Sequence, residues 1–242
     1  LGNIEFPHEI EHVLQFGGEG VGLYRTEFLY LISETDPTED ELYQQYVQSI
    51  DMLQGRMLTV RTLDLGADKH TQQQAIEPER NPFLGLRSIR YSLQHLPIFR
   101  RQLRAILRAA VHGPLRIMFP LITTMNELKQ ARMILNDVAE DLRQEGIPVP
   151  EDIPVGMMIE VPSAALMAAT FSREVDFFSI GTNDLIQYTV AVDRSNERVA
   201  NLYSAANPAV IRLIKNILRA AKRREVNTSL CGEIAGDMTY TM

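Results

Sequence analysis

"FFSIGTND", residues 177–184, is the stretch whose reading decides how this chain folds. Phe177, Phe178 and Ile180 put apolar groups on both faces that a strand alternates between, and the run closes on Thr182, Asn183 and Asp184. A strand of this kind is buried on both sides and presents reactive groups only where it stops. The same design recurs along the chain as "GLYRTE" (22–27), "MLTVRTLD" (57–64), "VGMMIE" (155–160) and "TSLCGE" (228–233). Helical patterns separate these runs, so they predict a parallel sheet covered by helices. An open doubly wound sheet collects its ligand groups at one switch point, whereas a barrel assembles its site from many strand ends. Polar groups at the ends of five runs favour the barrel. The cluster Gly17, Gly18, Gly20 and Gly22 does not rescue the open sheet, because it precedes a strand where a dinucleotide loop would follow one. The predicted fold is α/β, a (β/α)8 TIM-type barrel.

Local signals agree with this. Pro7 opens a first helix, and Thr38 with Glu41 has the spacing of a capping box. Helical sequence follows from Ser88, from Pro97 to Ala110, from a Thr124/Glu127 cap to near Gly146, from Ser163, and from Asn207 with Pro208 to Arg224. Pro148, Pro150 and Pro154 form a connector too short to separate domains. The 242 residues therefore predict one barrel domain over 1–242, since such barrels run to about 250 residues.

Composition narrows the function. A net charge of −7 argues against a general nucleic-acid binder. No segment reaches the ~18 uninterrupted apolar residues of a membrane helix, and "LGNIEFPHEIEH" lacks the features of a signal peptide. The expectation is a cytoplasmic chain. The single cysteine makes neither an internal disulfide nor a cysteine zinc site, so a metal here is held by oxygen or imidazole. Lysine occurs only at Lys69, Lys129, Lys215 and Lys222, leaving arginine most of the positive charge. Its planar fork suits phosphate and carboxylate.

Two carboxylates, Glu160 and Asp184, end neighbouring strands in the predicted order and suit an octahedral magnesium ion completed by substrate oxygens and water. Helix capping is the competing role for each, and Asn183 beside Asp184 favours the metal. Arg25, Arg61, Lys69, Arg87 and Arg194 form a second set. Buried salt bridges compete here, but their number favours a small substrate carrying phosphate and carboxylate. Cys231 is either a small buried hydrophobe or a group at a strand end with Gly232 and Glu233 after it. No histidine stands near it in sequence to make a thiolate, so proton donation is the better chemical role.

The motifs "GVGLYRTEFLY", "VRTLDLGADK", "NPFLGLRSIR", "RIMFPLIT", "FFSIGTNDLIQYTVAVDR" and "CGEIAGD" resemble the C-terminal, phosphoenolpyruvate-binding domain of Enzyme I of the bacterial phosphotransferase system, over essentially the whole chain. The resemblance implies a (β/α)8 barrel, a homodimer and a magnesium-dependent phosphoryl transfer from phosphoenolpyruvate, releasing pyruvate. By motif, Glu160 and Asp184 match the magnesium ligands, and Arg25, Arg61, Lys69, Arg87, Asn183 and Arg194 the residues around phosphate and carboxylate. Cys231 matches the acid that protonates the enolate carbon. The family's phosphorylated histidine belongs to a separate N-terminal domain, which passes the group to a histidine-containing phosphocarrier protein; His8, His12, His70, His95 and His112 do not sit in that motif. The chain also stops at "AGDMTYTM", before the expected last strand and helix, so a fragment is expected. A pyruvate phosphate dikinase or phosphoenolpyruvate synthase type barrel is the alternative within the superfamily, and a non-catalytic phosphoenolpyruvate sensor the alternative outside catalysis. Sugar uptake and a regulatory branch are equally open.

Overall fold

A computed structural model describes residues 1–31, 36–66, 79–236 and 238. The chain divides into two compact units, one of residues 1–120 with 126–154, the other of residues 121–125 with 155–242. The first contains β1 (Gly2–Ile4), α1 (Glu9–Gln15), β2 (Gly20–Tyr24), α2 (Phe28–Leu31), α3 (Glu39–Leu53), β3 (Met57–Arg61), α4 (Ser88–Gln94), α5 (Leu96–Ala109), β4 (Leu115–Phe119) and nearly all of α6 (Met125–Gln144). Its strands run parallel in chain order, with Ile4 opposite Tyr24, Tyr24 opposite Val60 and Arg61 opposite Met118. Every residue of β2 is buried, as are Leu58, Thr59, Val60 and Arg61 in β3. The two-faced apolar pattern therefore reads correctly as parallel strands covered on both sides.

Helix ends in this unit follow their side chains. The Thr38 hydroxyl accepts the Glu41 amide at 3.3 Å while the Glu41 carboxylate accepts the Thr38 amide at 2.7 Å, the reciprocal capping box the spacing predicts. α6 closes where Gly146 turns to φ 74° and Ile147 donates back to the Leu142 carbonyl at 2.9 Å. α3 packs against α5, and Glu39 at the first position of α3 pairs with both Arg104 at 2.7 Å and Arg108 at 2.6 Å.

The second unit contains β5 (Val155–Ile159), α7 (Pro162–Leu166), α8 (Ala168–Phe171), β6 (Phe177–Gly181), α9 (Thr182–Val190), α10 (Pro208–Arg223) and β7 (Asn227–Cys231). The helix expected from Ser163 is two short helices, because Met167, at φ −92° and ψ 8°, leaves the helical range between them. Asn207 caps α10 by accepting the Ala209 amide at 2.9 Å, with Pro208 at its first position as predicted. β5, β6 and β7 are again parallel and in chain order, Ile159 opposite Ile180 and Gly181 opposite Cys231. A doubly wound sheet reverses its strand order at a switch point; the sequential order 1-2-3-4 in one unit and 5-6-7 in the other is that of the (β/α)8 class. Seven strands are present among the described residues.

Candidate functional site

In the second unit, register decides which polar groups meet. Glu160 follows Ile159, whose partner is Ile180, and Cys231 lies opposite Gly181. Since side chains alternate along a strand, Glu160, Gly181 and Cys231 share one face. A β-carbon at residue 181 would lie 2.7 Å from Glu160 Oε2 and 2.9 Å from Met158 Sδ, so this face is open to the carboxylate only because residue 181 is glycine. Glu160 is 3% exposed, and its Oε1 accepts the Leu121 amide at 2.6 Å.

β7 is largely open to solvent except at its end, where Cys231 is 4% exposed. The Ser179 hydroxyl donates to Sγ at 3.2 Å and Sγ donates to the Ile180 carbonyl at 3.3 Å. Beyond it, Gly232 takes φ 100°, and a β-carbon there would strike the Thr182 hydroxyl and lie 2.8 Å from Asn183 Oδ1. That close approach joins the end of β7 to the start of α9. Thr182 donates to the Cys231 carbonyl at 2.9 Å, and Glu233 donates its amide to Asn183 Oδ1 at 3.0 Å. The Glu233 carboxylate in turn accepts from Asn183 Nδ2 at 3.4 Å and from Arg194 Nη1 at 3.2 Å. Tyr203 donates its hydroxyl to the Asn183 carbonyl at 3.3 Å; burial raises its pKa, with Arg194 opposing. Asp184 occupies the first turn of α9 and is half-buried.

In the first unit Arg61, the last residue of β3, is 9% exposed and lies between two carboxylates, Glu27 at 3.0 Å and Asp64 at 3.0 Å. Arg87, at the start of α4, reaches both oxygens of the same Asp64 at 3.0 and 3.2 Å. Two positive and two negative groups thus form a balanced buried quartet. Burial works against ionisation at Asp64, but Arg87 and then Arg61 outweigh it and hold the carboxyl below its usual range. At Glu27 burial dominates over Arg61 and pushes the carboxyl up. Gln102 of α5 supports the cluster, accepting the Leu63 amide at 2.9 Å and donating to Thr26 Oγ1 at 2.9 Å, while Thr26 donates to the Arg61 carbonyl. Arg25 is more exposed and pairs with Glu5 at 2.6 Å. Lys69 lies outside the described residues.

The competing role foreseen for the arginines is therefore present: Arg61 and Arg87 do sit in buried ion pairs, and Arg25 and Arg194 in exposed ones. Sequence reading missed the counter-charges. Glu27 and Asp64 close the very motifs "YRTE" and "RTLD" that supply Arg25 and Arg61, so each arginine's motif carries an acid two or three residues on. Gln102 had a fainter signal, a polar residue in the buried stripe Phe99, Leu103 and Ile106. Ser179, in mid-strand, offered none.

As a magnesium site, the second unit offers carboxylate oxygen from Glu160 and Asp184, the donor chemistry a small hard cation takes. Among the described residues no group of three or more His, Cys, Asp or Glu gathers to hold a metal by protein alone. A magnesium ion held by one or two such carboxylates would be completed by water and ligand oxygens.

A family model described as "PEP-utilising enzyme, PEP-binding domain" matches residues 1–242. The chain belongs to this family. Curated relatives include proteins named phosphoenolpyruvate-protein phosphotransferase from Priestia megaterium, 52% identical over 97% of this chain and 41% of the relative, and from Enterococcus faecalis, 51% identical over 98% and 42%. The chain spans about two-fifths of the length of these relatives. Among solved structures, a citrate lyase from Burkholderia xenovorans aligns with a TM-score of 0.55 at 17% identity, covering 94% of this chain and 62% of that one. A citrate synthase aligns at 0.50 and 13%, covering 94% and 74%. At such identities the likeness concerns the fold of this PEP-binding domain and not its chemistry. Among the described residues no helix is long and apolar enough to cross a membrane.

Proposed function

We propose that this chain is the phosphoenolpyruvate-binding barrel of a phosphoenolpyruvate-protein phosphotransferase, the first enzyme of a phosphotransferase system. The observation that carries the reading is identity of about half over 97% of the chain with relatives of that name. The strand-end residues support it independently. In this reading the whole protein binds phosphoenolpyruvate with magnesium and passes the phosphoryl group to a histidine on its separate phosphohistidine domain, which serves a phosphocarrier protein. It works in the cytoplasm as a homodimer.

Glu160 and Asp184 are the residues that hold magnesium, whose charge, when bound, stabilises the anionic oxygens of the substrate. Arg25, Arg61, Lys69, Arg87, Asn183 and Arg194 bind its phosphate and carboxylate. Guanidinium forks neutralise the charge spread over the moving phosphoryl oxygens. Glu27 and Asp64 keep Arg61 and Arg87 aimed before substrate arrives. When the P–O bond breaks, its electron pair stays with the enolate oxygen and the phosphoryl group goes to the histidine nitrogen. The enolate then takes a proton at its terminal carbon from Cys231 Sγ and becomes pyruvate. Ser179 remains as a donor to the sulfur left negative by that transfer.

Calorimetry of phosphoenolpyruvate binding with and without magnesium tests the reading. Binding that requires magnesium, and that is lost in Asp184→Ala, is the expected result. Equal affinity without the metal, or normal binding by the variant, would overturn the metal assignment, and no binding at all would overturn the function.

A further inference from the structure

Arg194 and Asn183, two residues read above as holding substrate, make their contacts to the same oxygen of one side chain. Glu233 Oε1 accepts from Arg194 Nη1 at 3.2 Å and from Asn183 Nδ2 at 3.4 Å. A carboxylate or phosphate oxygen of a ligand would satisfy the same two donors in the same way. The geometry points to Glu233 as an internal stand-in for the substrate's anionic group, a positioning residue that holds Arg194 and Asn183 while the site is empty and yields them when ligand arrives. The inference rests on the phosphoenolpyruvate reading and adds a residue to it.

Three features make the exchange inexpensive. First, the position of residue 233 does not depend on its carboxylate. Its amide is held by Asn183 Oδ1 at 3.0 Å, and Gly232 at φ 100° lets the chain approach α9 closely enough for that bond. The side chain can therefore swing away while the backbone clamp stays. Second, the ion pair is open to water, with the Arg194 and Glu233 side chains 41% and 74% exposed. Exposed pairs of this kind contribute little, so a ligand that brings more charge and a second contact displaces Glu233 readily. Third, Asn183 has support beyond the exchangeable bond, since its carbonyl accepts the Tyr203 hydroxyl at 3.3 Å. Arg194 likewise has a second partner, the Tyr203 side chain, and its backbone amide donates to Gln187 Oε1 at 3.2 Å.

The test is the affinity for phosphoenolpyruvate at saturating magnesium, measured by calorimetry on the intact chain. Glu233→Gln removes the charge and keeps the amide clamp. It should tighten binding about two- to fivefold, the range expected when a weak competing ion pair is removed. Glu225→Gln removes the same charge at the opposite end of β7 and should leave affinity unchanged. Glu233→Ala gives the same readout should the glutamine variant fold poorly. Unchanged or weaker binding in the Glu233 variants, or equal tightening in Glu225→Gln, would overturn the stand-in while leaving the function intact. A wild-type chain that does not bind phosphoenolpyruvate would overturn the function and this inference with it.

Discussion

At position 231 a thiol is buried at the end of a strand whose other residues remain at least partly open to solvent, on the face that also carries Glu160. A cysteine serving only as core filler has no need of two directed polar contacts, yet Sγ both accepts from Ser179 and donates to the Ile180 carbonyl. Cys231→Ser keeps the shape and offers a much weaker acid. Exchange of the methyl protons of pyruvate with solvent should slow by about 10²-fold or more, the usual scale for losing a general acid, while phosphoenolpyruvate binding stays within about twofold of wild type, a margin worth only some 0.4 kcal/mol. Unaltered exchange would return Cys231 to a packing role. Its neighbour makes a separate prediction. Gly232→Ala places a β-carbon in a left-handed conformation and against the Thr182 hydroxyl, so it should destabilise the chain by roughly 1–3 kcal/mol in denaturant unfolding. The strand end at "CGE" was legible, whereas the left-handed backbone of Gly232 and the polar contacts of Cys231 come from the structure. Ser179 was not legible, because a serine in mid-strand looks the same in sequence whether its hydroxyl meets sulfur or a backbone carbonyl.

Between elements, the quartet of Glu27, Arg61, Asp64 and Arg87 shows where sequence reading stops. The strand β3 and its terminal arginine follow from the apolar run before it, but which acid meets which arginine depends on how the β2 and β3 ends and the start of α4 come together. The two acids should respond oppositely to pH. Asp64 is held below its usual range, so its contribution to stability is present above the ordinary aspartate range and is lost as pH falls through the depressed value. Glu27 is pushed up by burial, so its contribution is present in acid and is lost as pH rises through the raised value. Asp64→Asn leaves two buried guanidinium groups with one counter-charge and should destabilise by about 3–5 kcal/mol at neutral pH, a deficit that shrinks on acidification. Glu27→Gln resembles the protonated acid, and its stability relative to wild type should improve from acid to neutral pH. Urea unfolding of the three proteins across a pH series checks both signs. Parallel trends in the two variants would mean that the quartet does not divide its charge as described.

Across the chain, alternation of two-faced apolar runs with amphipathic helices was enough to give parallel strands in chain order, because burial on both faces and a crossover helix leave few other topologies. The break of the Ser163 helix at Met167 was not legible, since it depends on what packs against that residue and not on its own pattern. What the whole molecule does with its residues can be read from a quantity that no single side chain sets. Any ligand that binds only the folded chain raises its stability by an amount fixed by concentration over affinity, about 2.7 kcal/mol at one hundred times Kd. If Glu160 and Asp184 hold magnesium against phosphoenolpyruvate, neither alone should give the full effect. The substrate needs the cation to offset carboxylate charge, and the cation finds no protein cluster of three or more ligands among the described residues. Unfolding midpoints should therefore rise steeply with phosphoenolpyruvate when magnesium is present, and far less with either component by itself. Asp184→Ala should flatten the joint response, each midpoint being read against that variant's own ligand-free midpoint. Equal and additive shifts from the two components, unaffected by Asp184→Ala, would show that magnesium and phosphoenolpyruvate bind at independent places.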